Sequence, residues 1–416
     1  MNVFVYCFRK LPNWFFGRIA VSLGLLCFCG SIAGAQAPDI STLASELAQC
    51  HPQLVAARAR VDGARASVDQ ARADRLPTFS VSAGAFVNDD QSDDTQASLN
   101  ATLPLVTFGR QEANERVSAV RLALAEGEYS QSLAEHIEKL VGLWTARDAD
   151  LQRIEIFEES LLAKQSFIEV IERRAEQGIS SDAELRDART EYIVDVTEVE
   201  NLRLQLLDVE ADILALSCEN VEIRRVVWTT LPVQASDIII ENHPDYVVQQ
   251  QQLALAEREA DLASVDGNPT LQLEGRVASN GSQDVSSRIG LTVNYEYESF
   301  GRGRRAAVAQ ADLQVREAEN LLQFLRIDLG QQATSNFQRL GQLNNNIVPA
   351  LQNELLNFQG AFDSSQRLYE AGRMTVREVL SDINSVKQTR LDLADAQQQI
   401  WSIYNDLAYA SDLYTE

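Results

Sequence analysis

The sequence predicts an α+β membrane protein with four β-strands and long coiled helices per chain, written as two copies of one unit. Three observations carry this. Landmarks recur at one offset: His51-Pro52 returns as His243-Pro244, Pro77 as Pro269, and Phe108-Gly109-Arg110 as Phe300-Gly301-Arg302, each 192 residues on. No proline lies between Pro104 and Pro232, in a chain with 9 of them, so helices run unbroken there. At matching places in both copies the hydrophobic period changes from 3.6 to 2. A repeat of this length is too long for a solenoid and suits two pseudo-equivalent halves.

Composition bounds the alternatives. The 416 residues are 45% apolar, enough for a core, and Leu, Val, Ile and Ala occur throughout, which argues against disorder. Lys plus Arg total 36 against 60 acidic residues, a net charge of -24. That balance argues against a phosphate-backbone binder, which needs a basic face, so no nucleic-acid partner is expected. Five cysteines are too few for a disulfide scaffold.

Residues 1–35 read as a secretory signal peptide. Arg9, Lys10 and Arg18 form the basic region, residues 19–28 the apolar run, and Ala33-Gly34-Ala35 the cleavage site, with Ala35-Gln36-Ala37 as a second choice. The apolar run is shorter than the roughly 20 residues that a spanning helix needs. A lipoprotein signal would need a small residue before Cys27 or Cys29, where Leu26 and Phe28 stand. Cleavage removes Cys7, Cys27 and Cys29, leaving Cys50 and Cys218 in an oxidising compartment.

Each half then reads as helix, two strands, very long helix, tight turn, helix. The helical stretches of the first half are 41–76 and 110–216. The first helix is expected as one piece over residues 41–74, stopping before Pro77. In the hairpin 77–109, Phe79, Val81 and Ala83 alternate with Ser80 and Ser82, and Leu99, Ala101 and Leu103 with Asn100 and Thr102. Residues 110–176 carry one helical period, about 100 Å of helix at about 1.5 Å per residue. Gly178 reads as a left-handed C-cap, and Ser181 with Glu184 as a capping box that starts the return helix. Residues 217–242 link the halves. The second half repeats the pattern: helices in 243–268 and 302–412, hairpin 269–301, Gly372 as C-cap, and Thr375 with Glu378 as capping box. Pro349 predicts a kink in its long helix.

All four strands are about as long as tilted membrane strands. Four strands cannot close into a barrel, and an open edge cannot sit in lipid. Two chains would supply eight strands, which leave no lumen; three would supply twelve, which do. The polar strand faces would line that lumen, with Phe79, Tyr295 and Tyr297 available for an interfacial girdle.

The signal peptide, the doubled layout, His-Pro at the first helix, Phe-Gly-Arg after each hairpin and the Gly-centred tips together resemble the TolC family of outer membrane channels. The likeness covers essentially the whole mature chain. It implies a homotrimer, a twelve-stranded barrel in outer membrane lipid, and an α-helical barrel continuing it into the periplasm, with 217–242 as an equatorial segment. It implies two partners, a periplasmic adaptor and an inner membrane transporter, ABC-type or proton-driven. The first half looks more like the type I secretion branch than the drug-efflux branch. Small-molecule efflux is the alternative, and a periplasmic adaptor the alternative of another class. An adaptor should carry one helical hairpin, however, and this chain has two.

The resemblance also implies site residues. Counting from Gly372, Glu378 matches the first acidic position of the family's periplasmic entrance gate. The second falls on Ser381, with Asp382 beside it. The tip turns around Gly178, Ser181, Glu184, Gly372 and Thr375 are the expected adaptor dock. Arg367, Arg373 and Arg377, with Arg173 and Arg174, either close the tips through interchain ion pairs or complement helix C-termini. In the family the two shorter helices of each half stack nearly end to end. That would bring Cys50 and Cys218 within bridging distance, the alternative being two separate thiols.

No enzyme and no cofactor are expected. Gly301-Arg302-Gly303-Arg304-Arg305-Ala306 fits a dinucleotide fingerprint, but the helix after it is too long for a compact βαβ unit, and the matching Gly109-Arg110-Gln111 lacks the second glycine. Its glycines are read as easing a strand-to-helix bend. His51, His136 and His243 show no metal-ligand spacing.

Overall fold

A computed structural model describes residues 40–86, 94–218, 240–280, 284–295 and 301–411. The signal segment 1–35, most of the linker 217–242, Tyr297 and Phe300 lie outside the described residues.

The first helical stretch is two helices and not one. α1 spans Ile40–Cys50 and α2 spans Pro52–Ala73. Between them His51 is extended, at φ -75° and ψ 122°. A residue before proline is pushed out of the α region, while proline at a first helical position gives up an N–H that has no partner there anyway. The pattern recurs in the second half, where His243 precedes Pro244 at the start of α5, Pro244–Asp266. There the His243 Nδ1 accepts a 3.2 Å hydrogen bond from the Asp245 N–H.

β1, Thr78–Phe86, and β2, Asp94–Val106, form the first hairpin; β3, Thr270–Asn280, and β4, Asp284–Asn294, form the second. The hairpins join through an antiparallel β2–β3 pairing, giving one four-stranded sheet in order β1-β2-β3-β4. Its register shifts between Pro104 and Val106. A strand proline has no N–H for the ladder and is confined to such irregularities or to edges. Register lines up Val81, Leu99 and Val277 in one row, and Phe79, Ala101, Gly275 and Ile289 in the next. All of these sit on one face, and the large ones are exposed, Phe79 at 71% and Ile289 at 80%. The opposite face carries Ser80, Asn100, Arg276 and Arg288 in one row. Tyr295 follows the end of β4, 53% exposed.

Each hairpin ends in a glycine with positive φ, Gly109 at 89° and Gly301 at 73°. That left-handed step costs a glycine nothing and turns the strand into the long helix. Gly303, the other glycine of the fingerprint, lies inside that helix. Arg304 reaches back to the Ser264 carbonyl and to Asn268, whose amide donates to the Phe108 carbonyl at 2.9 Å. The two halves are thus tied together beneath the sheet.

α3, Arg110–Glu176, is continuous over 67 residues, and α4, Asp182–Leu216, returns along it. The second long helix is interrupted. α6, Arg302–Gln342, passes through a π-helical stretch, Leu343–Ile347, into α7, Val348–Glu370. Pro349 removes one ladder hydrogen bond and crowds the preceding turn, and one extra residue in the turn accommodates both. α8, Val376–Ala410, closes the chain. Leu47, Leu54, Ile137, Leu140, Trp144, Ile213 and Ala408 pack five helices into a core at the α1/α2 junction. Among the described residues no helix is long and apolar enough to cross a membrane.

Candidate functional site: the paired helical tips

The far end of the molecule consists of two turns built alike. Gly178 and Gly372 both stand at φ 73°, a left-handed conformation that a side chain would strain. The Ile179 N–H donates to the Arg174 carbonyl at 2.9 Å, and the Arg373 N–H to the Leu368 carbonyl at 2.9 Å, satisfying carbonyls that each helix end leaves open. Both following helices start with a full capping box. The Glu184 side chain accepts from the Ser181 N–H at 2.9 Å, and the Glu378 side chain from the Thr375 N–H at 2.8 Å. In return Ser181 Oγ and Thr375 Oγ1 accept from the N–H groups of Glu184 and Glu378.

These turns are welded together by a small core. Phe167, Ile171, Ala188, Val376, Val379 and Ile383 bury themselves around Tyr369. The Phe167 and Tyr369 rings meet edge to face at 5.0 Å. Arg174, at the end of α3, then crosses to the other hairpin. Its guanidinium lies 4.7 Å over the Tyr369 ring and donates to the carbonyls of Tyr369 and Glu370 at 2.9 and 2.8 Å. One side chain therefore caps the C-terminus of α7 and stacks on its last buried aromatic. Ser180 Oγ and the Tyr369 hydroxyl, 3.0 Å apart, add a second crossing.

A buried charge cluster sits higher along the same helices. Lys164 on α3 is fully buried, and its Nζ lies 2.7 Å from Asp195 Oδ2 on α4. Lys387 on α8 approaches the other oxygen of Asp195 at 2.6 Å, and Ser160 donates to Asp195 at 2.9 Å. Burial pushes the Asp195 carboxyl up, but hydrogen bonds from the two ammonium groups outweigh it and hold the group below its ordinary value. Burial pulls the Lys164 ammonium down despite its bond to Asp195. Asp195 thus pins the second hairpin to the first.

The residues singled out from sequence fall into two groups. Gly178, Ser181, Glu184, Gly372, Thr375 and Glu378 build the turns. Glu378 is exposed, and its bonds from Thr375 hold its carboxyl below the ordinary value, so it stays charged at neutral pH. Asp382 lies one helical turn on along α8, half-buried, with no hydrogen bond or ion pair among the described residues. Arg377 comes within 4.0 Å of Asp187, both well exposed, too loose to hold much. Arg367 and Arg373 make no side-chain ion pair among the described residues. Sequence reasoning left Arg174 between closing the tips through an interchain ion pair and complementing a helix end; it complements a helix end, and that end belongs to the other hairpin. Nothing in the helical period marked Lys164, because a lysine in an amphipathic helix reads as solvent-facing.

At the other end of these helices Cys50, the last residue of α1, is joined by a disulfide to Cys218, just past α4. Their Cα atoms are 6.1 Å apart across 168 residues of sequence. Among the described residues no cluster of His, Cys, Asp or Glu has the arrangement of a metal site.

Comparison with known proteins agrees with this architecture. The family model described as "Outer membrane efflux protein" matches residues 43–217 and 235–411. No curated protein matches the sequence significantly. Among solved structures, the outer membrane protein VceC from Vibrio cholerae superposes with TM-score 0.79 at 17% identity, over 91% of this chain and 97% of that one. The Campylobacter jejuni CmeC outer membrane channel gives 0.73 at 14%, over 90% and 86%. The open-state Neisseria gonorrhoeae MtrE outer membrane channel gives 0.75 at 14%, over 90% and 89%. At these identities the likeness speaks for the fold, while the family match covers both halves of the chain. The chain therefore belongs to the outer membrane efflux protein family: it is a TolC-like channel protein of the outer membrane, with most of its length in the periplasm, and not an enzyme.

Proposed function

We propose that the chain forms, as a homotrimer, a passive exit duct through the outer membrane, opened at its tips by a periplasmic adaptor and an inner membrane transporter. The observation that carries this reading is the sheet. Its apolar face is exposed, its other face is polar, and the outer edges of β1 and β4 are unpaired among the described residues. Those edges find partners only in neighbouring copies, and three copies give the smallest closed barrel with a lumen. Among the described residues no helix is long and apolar enough to offer a substitute route.

The tips supply the gate. Opening must draw α7 and α8 away from α3 and α4, which breaks the Arg174 contacts first and leaves the Asp195 cluster as the hinge. Glu378, with Asp382 a turn away, lines the entrance with negative charge. The turns at 177–181 and 371–375 offer the adaptor two equivalent docking points per chain.

The family description, an outer membrane efflux protein, favours efflux as the task, with small molecules as the cargo. It lends no support to type I protein secretion, the branch that the first half suggests. Native mass measurement of the detergent-solubilised protein tests the assembly: a trimer is expected, and a stable monomer or dimer overturns it. Deletion that sensitises cells to toxic small molecules, with no protein lost from the medium, supports efflux over secretion; the reverse outcome assigns secretion.

A further inference from the structure

The polar face of the sheet holds a charge pattern that transport through a negatively charged duct does not require. Arg276 on β3 and Arg288 on β4 are directly opposed in the antiparallel register. Side chains so paired have their Cβ atoms about 5 Å apart, and like charges there repel. Both are exposed, and neither has an ion-pair or hydrogen-bond partner among the described residues. Their row continues through Asn100 and Ser80, and the next row outward holds Ser82, Ser98, Ala278 and Ser286, so no carboxylate faces them there. Among the described side chains of this face Glu274 is the one carboxylate, paired in register with Gly290 one row inward. The backbone of Asp284 lies four residues along β4, about 13 Å away.

The opposite face is the apolar, exposed one, so in a lipid-embedded barrel this face must look into the lumen. Two arginines per chain then give a trimer six guanidiniums in one band, the strand tilt of about 40° setting the paired residues about 3 Å apart in height. A twelve-stranded barrel with strands about 4.8 Å apart and tilted about 40° is about 24 Å across between backbones. Arginine side chains from all sides narrow that to about 10 Å, so an ion on the axis lies within one Debye length of every guanidinium. Planar guanidiniums match the oxygens of phosphate-like groups two at a time, and the low-dielectric wall focuses their field.

We propose that Arg276 and Arg288 form a basic belt in the barrel lumen that binds polyvalent oxyanions. This rests on the duct reading above and adds to it a site of the opposite sign from the tips. The duct is bipolar, acidic at the periplasmic entrance and basic where it crosses the outer membrane. Anionic solutes, whether cargo leaving or polyanions entering from outside, dwell at the belt.

The test uses the full-length trimer in detergent and inorganic tripolyphosphate as the probe. Isothermal titration at low salt should show about one tripolyphosphate bound per trimer. The double variant Arg276→Gln/Arg288→Gln should weaken that binding at least tenfold, while Arg276→Lys/Arg288→Lys, which keeps charge but not the planar fork, weakens it less. Arg373→Gln/Arg377→Gln, at the tips, should leave it unchanged. In planar bilayers tripolyphosphate added to the barrel side should reduce the current, and the double Gln variant should escape. A conducting trimer that does not bind tripolyphosphate, or whose double Gln variant binds it as well as the wild type, overturns the belt and leaves the duct standing. A protein that is not a trimer overturns both, because the ring of six then does not exist.

Discussion

Replacing Arg174 by Ala removes the clasp that holds one hairpin of each chain to the other. The structure sets its size. Two hydrogen bonds run from a charged guanidinium to the last carbonyls of α7, at 2.9 and 2.8 Å, and the same group stacks 4.7 Å over Tyr369. Taken alone, each charge-assisted bond is worth at least about 1.5 kcal/mol and the stacking about 0.5–1. Arg174 is only half-buried, so a total of about 2–3 kcal/mol per chain is the reasonable scale. If the clasp acts in the closed state and not in the open one, its loss moves that equilibrium about 30- to 150-fold per chain. Planar bilayer recording of the purified trimer measures this as a rise in open-channel current. Arg174→Lys, which keeps the charge but loses the fork, should fall between wild type and Ala. Tyr369→Phe, which loses only the Ser180 contact, should open the channel less than Arg174→Ala. Arg373→Ala serves as the control, an exposed tip arginine without an ion pair among the described residues. The reasoning is refuted if Arg174→Ala conducts like wild type while its trimer melts normally, or if Arg373→Ala opens the channel equally.

Three further outcomes follow from other parts of the molecule. Titration of denatured, unreduced processed protein should find no free thiol, and Cys50→Ser/Cys218→Ser should lower thermal stability. Closing a 168-residue loop is worth up to about 5 kcal/mol on the loop-entropy estimate. Asp195→Asn should destabilise by about 3 kcal/mol, because buried Lys164 then keeps only the longer 3.7 Å pair with Glu191, whereas Lys164→Met/Asp195→Leu should cost much less; thermal melts of both decide it. Asp195 titrates lower in the folded chain than in the unfolded one, so its contribution is present in full above about pH 4, the unfolded value, and is lost as pH falls through the folded value. Glu378→Gln should reduce the cation selectivity of the channel and its block by multivalent cations, measured as a reversal-potential shift in a salt gradient. An unchanged reversal potential would remove Glu378 from the entrance.

Much of the fold was legible because its signals are local and written twice. The 192-residue offset, the alternation in the strands, Gly178 and Gly372 at the turns, and the boxes at Ser181–Glu184 and Thr375–Glu378 each depend on a few neighbouring residues. The break at His51 was missed: Pro52, which fits a first helical position, was its one local signal, but the helical period on both sides reads as continuous. At Pro349 a bend was legible but its form was not: the helix takes up the proline through five π-helical residues before it. What sequence could not show is what crosses between distant segments. Arg174 meets Tyr369 across 195 residues, and Lys387 meets Asp195 across 192. Neither partner is marked locally, because the helical period says which face a residue is on and not what stands opposite.

The most direct test of the duct is the current carried by purified trimers in a planar bilayer. Discrete conductance steps are expected, small for the wild type and larger for Arg174→Ala. Inserted trimers of both proteins that carry no current would contradict it.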